Sequence, residues 1–504
     1  MIRTSNDYRD AIRKAREIYL DGKQIDDVTT HPTYAPLVDL RARIYDMQQE
    51  PQHRDVLTRT VSGQTHTVTA SLPFSQSDWW AKRRASDRVF SQLGGIASRT
   101  GEETVAEFWS LRDCRDALVD MDPQFANNID AHILASQEDD LFRVSANTDP
   151  KGNRAQSSLH QDPDSLLHVV RETDAGIVVR GAKFETAALY ADLAYTKPNI
   201  ANWGDTLPNE YAVGFVSDLN AKGLKFISRS GFARPDTERD YPLSNRFDDV
   251  ESLVVFDDVL IPWENVLFHR QPRAATLIRA TLHRYSAFFF VHRILVFADM
   301  LIGVALLNCR QTGIAHEQAV RDKLAGLSVW REGIHAHLTA ATALGEKSPA
   351  GQMMPNQSLL LAGRVHAVSQ LNNMMHHVRE LCGGQMSLLP PASAFEAPET
   401  ANWLEKYFSI GEEVVAEDRR KLMAFARDLI NSDHASHKLT YHLFGQSPPH
   451  AHLASVYHNF DWEGPLNLVR DAAGLDNQIG KSGVSDADPA TYGDWHSPEV
   501  PERR

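Results

Sequence analysis

The chain has 504 residues, of which 42% are hydrophobic, a length that suits about three domains with sizeable cores. Its formal net charge is −14, which excludes a broad basic surface, so DNA or RNA is not expected as the main partner. Cys114, Cys309 and Cys382 lie far apart in the sequence. This spacing excludes a disulfide framework or a zinc ribbon and fits a reducing cytoplasm.

Residues 1–140 alternate helical patterns with polar loops, which predicts a mainly helical N-terminal domain. The first residues are charged and lack the apolar core of a signal peptide, so no export signal is expected.

Residues 141–271 are rich in β-branched runs separated by turn residues, which predicts a central β domain. Within residues 174–184, the pair Arg180-Gly181 predicts a hairpin turn. No G-x-G-x-x-G motif stands between a strand and a helix here. The pattern therefore disfavours a Rossmann nucleotide site and favours an antiparallel barrel or sandwich.

Residues 272–474 are almost entirely helical in pattern, and long amphipathic segments joined by short connections predict a four-helix bundle. Residues 288–307 are the most apolar stretch, but polar residues interrupt them. We therefore expect a buried helix of a soluble protein and no membrane span. Residues 475–504 are polar and predict a tail.

Residues 256–265, FDDVLIPWEN, mark the join between the β and the helical modules, because proline ends a strand or begins a turn. With four further segments, this join resembles the 4-hydroxyphenylacetate 3-monooxygenase and chlorophenol monooxygenase family, whose fold is acyl-CoA dehydrogenase-like. The resemblance covers roughly residues 5–470. The other segments are DGKQIDDVTTHP, RETDAGIVVRGAK, KFISR and CGGQMSLLPPASAF.

The resemblance implies an α+β protein that is the oxygenase component of a two-component system. A separate NAD(P)H-dependent reductase would supply reduced FAD. Oxygen would add at the flavin C4a, and the resulting hydroperoxide would hydroxylate an electron-rich aromatic, free or presented on a carrier protein. The protein's task would be to exclude water and orient the substrate. Relatives suggest a cytoplasmic homotetramer or homodimer.

Five residues are expected on the substrate side of such a site. Arg99 stands where the family has an arginine that holds a phenolate or assists the flavin chemistry. Glu103 replaces the family's tyrosine, and Ser145 replaces a histidine that helps bind and deprotonate the phenol. His283 and His292 are candidates for the missing base. These departures predict a substrate other than plain 4-hydroxyphenylacetate, such as a larger or amine-bearing aromatic.

The resemblance also places FAD. An arginine suits a pyrophosphate, hydroxyls suit the polar edge of the flavin, and an indole can stack on a ring. The expected FAD-binding residues are Arg154, Ser157, Ser158, Thr186, Asn459, Asp461 and Trp462.

Other readings are weaker or stay open. A di-iron centre needs paired Glu-x-x-His motifs, and only Glu332 and His335 fit on a clear helix. Three scattered cysteines cannot supply the iron–sulfur cluster of 4-hydroxybutyryl-CoA dehydratases. Histidines between residues 434 and 458 fall in loop-like sequence and suggest no metal site. An acyl-CoA dehydrogenase-like oxidoreductase and an amine N-oxygenase remain alternatives; tight binding of oxidised FAD would favour the former.

Overall fold

Two β-sheets lie between an N-terminal set of helices and a C-terminal helical bundle in the computed structural model. The structure describes residues 2–61, 63–95, 100–153, 162–199, 209–234 and 236–475.

The N-terminal region is mainly helical, as its pattern predicts. Its helices are α1 (Ser5–Ile12), α2 (Ala35–Gln49), α3 (Pro51–Leu57), α4 (Gln76–Gln92), α5 (Glu102–Asp113), α6 (Arg115–Met121) and α7 (Pro123–Glu138). Its strands are β1 (Glu17–Leu20), β2 (Lys23–Ile25), β3 (Thr58–Val61) and β4 (Gln64–Thr67). Strands β1 and β2 leave this region and extend the central sheet, with β1 parallel to a later strand, Leu224–Ser228.

The central strands are β5 (Arg143–Ser145), β6 (His168–Thr173), β7 (Gly176–Thr186), β8 (Leu193–Thr196), β9 (Val213–Asp218), β10 (Leu224–Ser228), β11 (Glu251–Pro262) and β12 (Val266–His269). One sheet has the order β2-β1-β10-β11-β7-β6, and the other has the order β12-β9-β8-β5. Phe215 and Phe256 meet edge to face between the sheets, with ring centroids 5.8 Å apart. Most pairs are antiparallel, as predicted, but β1–β10 and β5–β8 are parallel.

The predicted hairpin at Arg180-Gly181 is wrong. Both residues lie within β7, and the turn falls between β6 and β7, after Thr173. Gly181 has a φ of +129°, and a Cβ there would lie 2.5 Å from the Cα of Leu167. The glycine therefore permits a close approach of two backbones rather than a reversal of the chain.

The segment at residues 256–265 ends a strand as expected, since β11 stops at Pro262. Asn128 of α7 donates from Nδ2 to the carbonyls of Trp263 and Val266, each at 2.7 Å, and so fixes the turn. A further strand, β12, separates this turn from the bundle.

The C-terminal region is helical. It contains α8 (Pro272–Thr281), α9 (His283–Gln311), α10 (Gln318–Ala343), α11 (Gln357–Cys382), α12 (Ala392–Glu396), α13 (Ala401–Phe408), α14 (Ala416–Ile430), α15 (Asp433–Phe444), α16 (Pro449–Asn459) and α17 (Glu463–Ala473), with the short strands β13 (Glu346–Lys347) and β14 (Met353–Met354). Helix α9 packs against α5, α10, α11 and α14. The histidines at 434–458 lie on α15 and α16, not in loops as the sequence suggested. The predicted tail lies outside the described residues.

The stretch Pro272–Gln311 is long and apolar enough to span a membrane by length and composition alone, and 61% of its most apolar window is buried. Its aromatic side chains pack into the bundle core with α10, α11 and α14. This is the environment of a core helix, as predicted.

Helix α5 joins the two halves of the molecule. All its residues from 102 to 111 are buried. Phe108 and Leu111 belong to the core shared with the β-sheets, whereas Val105, Ala106 and Trp109 belong to the core of the bundle. Polar side chains on this helix are thus held at the contact between the β domain and the bundle, where they face partners from both.

Candidate active site

The chain connecting α15 and α16 reaches back to the contact between α5, α9 and α11 through the side chain of Gln446. Its Nε2 donates to Glu103 Oε2 at 3.2 Å and to Ser286 Oγ at 3.3 Å, and its Oε1 accepts from Arg364 at 3.4 Å. Gln446 has a φ of +64°, an unusual conformation for a residue with a side chain. Sequence reasoning missed Gln446; the run Gly-Gln-Ser-Pro-Pro signals only a turn before a helix.

Glu103 is buried in the first turn of α5 and forms an ion pair with Arg293 of α9. The sequence analysis expected Glu103 on the substrate side of the site. Among the described residues its charged partner is Arg293, a buried arginine of the bundle, which compensates its charge. Arg99 lies outside the described residues.

Ser145 belongs to a buried hydrogen-bonded chain. It ends β5, donates from Oγ to Glu107 Oε2 at 2.6 Å and lies 2.8 Å from the hydroxyl of Thr104. Both partners are on α5, one helical turn apart, and therefore on one face. Ser145 is held by this helix at the position where the family's histidine was expected.

Lys197 follows β8 and is buried close to Glu107. Burial lowers the pKa of Lys197 to about 8; the Glu107 carboxylate opposes this shift, and the charges of Lys183 and Arg279 add to it. Its Nζ donates to the Pro198 carbonyl at 3.3 Å. A lysine with such a pKa can exchange a proton near neutral pH, and the sequence analysis did not select it.

His283, which begins α9, faces a positively charged surrounding. Burial lowers the pKa of His283 well below its usual value, and the charges of Arg364, Lys197 and His452 lower it further. Its Nδ1 lies 3.1 Å from Ser286 Oγ. The structure thus brings His283, Ser145 and Glu103 to one region, with Gln446 and Lys197 between them.

His292 is not part of this region. Two and a half turns further along α9, its Nε2 lies 2.7 Å from Asp87 Oδ1 of α4. Its ring stacks on Phe288, with centroids 6.4 Å apart. The contacts of His292 join α9 to α4 and do not reach Ser145 or Lys197.

The residues expected to bind FAD are spread over the structure. Thr186 is buried at the end of β7. Asn459 donates to the carbonyl of Ser455, Asp461 accepts from the backbone at the start of α17, and Trp462 donates to the carbonyl of Tyr457. These last three make local contacts with α16 and α17. The other expected residues, Arg154, Ser157 and Ser158, lie outside the described residues.

The polar side chains in the region of Lys197, His283 and Arg364 suit a polar, negatively charged cofactor or ligand. Arg364 Nε and the Tyr195 hydroxyl are buried, and neither has a hydrogen-bond partner among the described residues. Buried polar atoms normally have partners. Donors without partners, next to Lys197, suit a group that brings its own acceptors, as FAD does.

A cavity of roughly 600 Å³, a volume that includes open solvent, lies on the other side of the start of α5, and Thr100 and Glu102 line it together with Arg41 and Asp140. Arg41 donates to the Thr100 carbonyl at 2.7 Å and to the Tyr45 hydroxyl at 3.0 Å, while its buried Nε has no hydrogen-bond partner among the described residues. Burial raises the pKa of Asp140 to about 6. Neither a lysine nor a histidine is found among the described residues that line this cavity. Among the residues that the structure describes, no group of His, Cys, Asp and Glu side chains could hold a metal ion.

Two family models match this chain. The model described as 4-hydroxyphenylacetate 3-hydroxylase N terminal matches residues 4–268, and the C-terminal model matches residues 273–474. The chain is 26% identical to the 4-hydroxyphenylacetate 3-monooxygenase oxygenase component of Thermus thermophilus, over 93% of this chain and 97% of the relative. It is 29% identical to the oxygenase component of a 4-nitrophenol 4-monooxygenase/4-nitrocatechol 2-monooxygenase of Rhodococcus opacus, over 83% of this chain and 80% of the relative.

A solved structure agrees with these matches. The oxygenase component of 4-hydroxyphenylacetate 3-monooxygenase, complexed with FAD and 4-hydroxyphenylacetate, superposes with a TM-score of 0.87 at 26% identity and covers 94% of this chain and 98% of that one. The predicted α+β fold, the use of FAD with O2 as cosubstrate and the class of reaction are confirmed. The chain belongs to the 4-hydroxyphenylacetate 3-hydroxylase family and is the oxygenase component of a two-component, FAD-dependent aromatic monooxygenase.

Proposed function

We propose that this monooxygenase hydroxylates a phenol bound beside α5, β8 and α9, and that Lys197 and Glu107 control the proton of the phenolic hydroxyl. The observation that supports this assignment is the buried chain from Thr104 through Ser145 to Glu107, with Lys197 next to it. It stands where the family's histidine is replaced by serine. Lysine and carboxylate together can do the work of that lost base.

Lys197 is the group that would accept the proton. With a pKa of about 8, part of it is neutral at slightly alkaline pH, and Nζ can then take the proton from a phenolic hydroxyl. The resulting ammonium would stabilise the phenolate, whose ring carbons ortho and para to oxygen are electron-rich. Reduced FAD, when bound, supplies the electrons that activate O2. Glu107, held by Ser145, would keep Lys197 in position.

The FAD-binding residues remain a proposal. Thr186 and the buried donors near Lys197 are compatible with a cofactor at the contact between the β domain and the bundle. We keep the remaining expected residues as the set to test by substitution: Arg154, Ser157, Ser158, Asn459, Asp461 and Trp462.

The substrate is proposed to differ from plain 4-hydroxyphenylacetate, because Ser145 and Glu103 replace the family's histidine and tyrosine. The ion pair of Glu103 with Arg293 removes the support for an amine-bearing substrate or an amine N-oxygenase, since the carboxylate already has a cationic partner. The charges around Glu103 therefore favour a phenol without an amino group as the substrate.

The test is a reaction with reduced FAD, isotopically labelled O2 and paired phenols, anilines and indoles, with mass-spectrometric detection of the label in the products. We expect labelled catechols or hydroquinones from phenols. Catalase and a reaction without protein control for free peroxide. If none of the compounds is oxygenated, or if anilines alone are, the proposed substrate class is wrong.

Arg99 is proposed as a catalytic residue on the strength of its place in the family's pattern. Its replacement by alanine should abolish hydroxylation and leave the thermal unfolding curve unchanged. The exposed residue Arg84 of α4 is a suitable control for a loss of surface charge. Unchanged turnover in the Arg99→Ala enzyme would remove Arg99 from the site.

The enzyme acts with a separate reductase, as its relatives' names imply. We propose that it works in the cytoplasm as a homodimer or homotetramer. Large apolar side chains on the surface of the C-terminal region support self-association, among them Val329, Leu388, Trp403 and Tyr407. Light scattering on the purified protein tests this proposal, and a monomer at micromolar concentration would contradict it.

A further inference from the structure

Arg364 of α11 is a buried cation whose charge is not compensated by the residues described around it. Its side chain is among the largest fully buried ones of the protein, at 2% exposure. One hydrogen bond is found, a long one of 3.4 Å from Nη1 to Gln446 Oε1, and Nε has no partner among the described residues. No carboxylate contributes to its electrostatics, and burial lowers its pKa to about 9.

Basic side chains, and not carboxylates, are the titratable neighbours of Arg364 among the described residues. Lys197, His283 and His452 converge on the same region, and the two histidines are kept neutral there by burial and by nearby cations. The nearest carboxylate in the hydrogen-bonded chain is Glu103, which reaches Arg364 only through the amide of Gln446 and is already paired with Arg293. The region therefore has a surplus of positive charge.

Arg419, in the same bundle, is a buried arginine whose donors are satisfied, and it serves as a comparison for Arg364. Arg419 of α14 is equally buried, also at 2% exposure. Its Nε donates to Gln385 Oε1 at 2.9 Å, and Nη1 donates to Asn308 Oδ1 at 2.6 Å and to Gln311 Oε1 at 3.1 Å. The donors of Arg419 are used by three amides, whereas Arg364 has, among the described residues, only the 3.4 Å contact of Nη1 and a buried Nε without a partner.

An unpaired buried charge destabilises a protein by several kcal/mol, so such a group persists where a ligand completes it. A guanidinium presents donors in a planar fork that matches a planar oxyanion. On these grounds we propose that Arg364 is the receptor for a planar oxyanion of a bound aromatic molecule, with Lys197 and His283 beside it. This inference rests on the proposed function and adds that the ligand carries a carboxylate or an equivalent anionic edge.

Two molecules of the reaction have this chemistry: an aromatic substrate with a carboxylate, and reduced FAD, whose pyrimidine edge is anionic. Thermal unfolding and equilibrium binding without oxygen can separate them, and neither depends on turnover. We would titrate the protein with the pairs 4-hydroxyphenylacetate and 4-hydroxyphenylacetamide, and 4-hydroxybenzoate and 4-hydroxybenzamide. A separate titration under anaerobic conditions would use reduced FAD.

If the substrate is the ligand, we expect the wild-type protein to bind the acid of each pair more tightly than the amide, and the acid to raise the melting temperature. If the cofactor is the ligand, we expect reduced FAD to bind and to raise the melting temperature. The variants Arg364→Met and Arg364→Gln should weaken that binding about 10- to 100-fold, the range typical for a lost charge-assisted hydrogen bond. Binding of the neutral amides should change less than about twofold, within ordinary scatter of such effects. Weaker binding of the carboxylates by the Arg364 variants identifies the substrate as the ligand of Arg364. Weaker binding of reduced FAD alone identifies the cofactor as that ligand.

The unliganded variants give a second, independent measurement. Arg364→Met should melt at the temperature of the wild type or above it, because it removes an unpaired charge. Arg419→Met should melt clearly lower, because it leaves three amides without their donor. Unchanged binding of all anions, including reduced FAD, by both Arg364 variants, or a melting temperature of Arg364→Met as low as that of Arg419→Met, would overturn the proposal.

If hydroxylation of every phenol fails but Arg364-dependent anion binding is present, the proposed reaction is wrong and the receptor stands. If hydroxylation occurs and Arg364 variants bind all ligands normally, the receptor is wrong and the reaction stands.

Discussion

Two groups of polar residues beside α9 treat charge in opposite ways. In the paired group, Glu103 forms an ion pair with Arg293, and His292 lies against Asp87. In the cationic group, Lys197 lies near Glu107, His283 is kept neutral, and Arg364 has no carboxylate partner among the described residues. Charges that are paired hold α4, α5 and α9 together, whereas charges without partners reduce stability and gain their purpose from a ligand. Whether a charge has a partner thus distinguishes structural from functional polar residues around this helix.

The largest effect should come from breaking the ion pair of the paired group. Glu103→Gln leaves Arg293 buried without its anion, and we expect the free energy of unfolding to fall by about 3–5 kcal/mol. Urea titration measures the change. The double variant Glu103→Gln with Arg293→Met should recover much of the loss, since it removes the stranded charge. A single variant as stable as the wild type would show that this pair does not hold the helices.

In the cationic group, Lys197→Met should lower kcat/KM for a phenol by about 100-fold, near the lower end of the range for general acid–base groups. The neutral amine is the active form, so the wild-type rate should rise with pH through about 8, the pKa of Lys197. The variant should lose that rise. Lys82→Met is the matched control: Lys82 is also buried, but it donates to the Val68 and Thr69 carbonyls at 2.7 and 3.3 Å. A pH profile that persists in Lys197→Met would assign the proton transfer to another group.

His452 allows a smaller, pH-dependent test. Burial and then Arg364 lower the pKa of His452 to about 3. The unfolded chain therefore binds the proton first, and stability is lost as pH falls below about 6.5. Between pH 6.5 and pH 5 this term amounts to about 2 kcal/mol, and His452→Gln should remove it. The exposed His316 serves as control. Identical acid sensitivity in wild type and His452→Gln would contradict the buried neutral state.

The smallest effect is expected at Asp87, the partner of His292. Its side chain is 53% exposed, and pairs of this kind contribute about 1 kcal/mol or less. Asp87→Asn should leave hydroxylation within about twofold of wild type, the scatter usual for surface changes. Steady-state kinetics decides the matter. A large loss of turnover would place His292 in the catalytic site and remove the contrast between the paired group and the cationic group.

The sequence predicted elements better than contacts. Long amphipathic patterns located α9, α10, α11 and α14, because a period of 3.6 residues is a local property. The same local reasoning put a turn at Arg180-Gly181, where the glycine instead serves a close approach to Leu167 that only the folded chain reveals. It also missed that β1 and β2 join a sheet formed mostly by residues far later in the chain.

For the site, the sequence by itself determined the family, the cofactor class and the positions where this chain departs from its relatives. Short sequence motifs carry that information without any knowledge of the geometry. It identified Glu103, Ser145 and His283 as residues of interest, but it could not say with whom they pair. Tertiary structure decided that Arg293 neutralises Glu103 and that Ser145 donates a hydrogen bond to Glu107. It also brought Gln446 into contact with Glu103, which lies 343 positions earlier in the chain. Partner choice depends on distance in space and on burial, and both arise only when α5 is held between the β-sheets and the bundle.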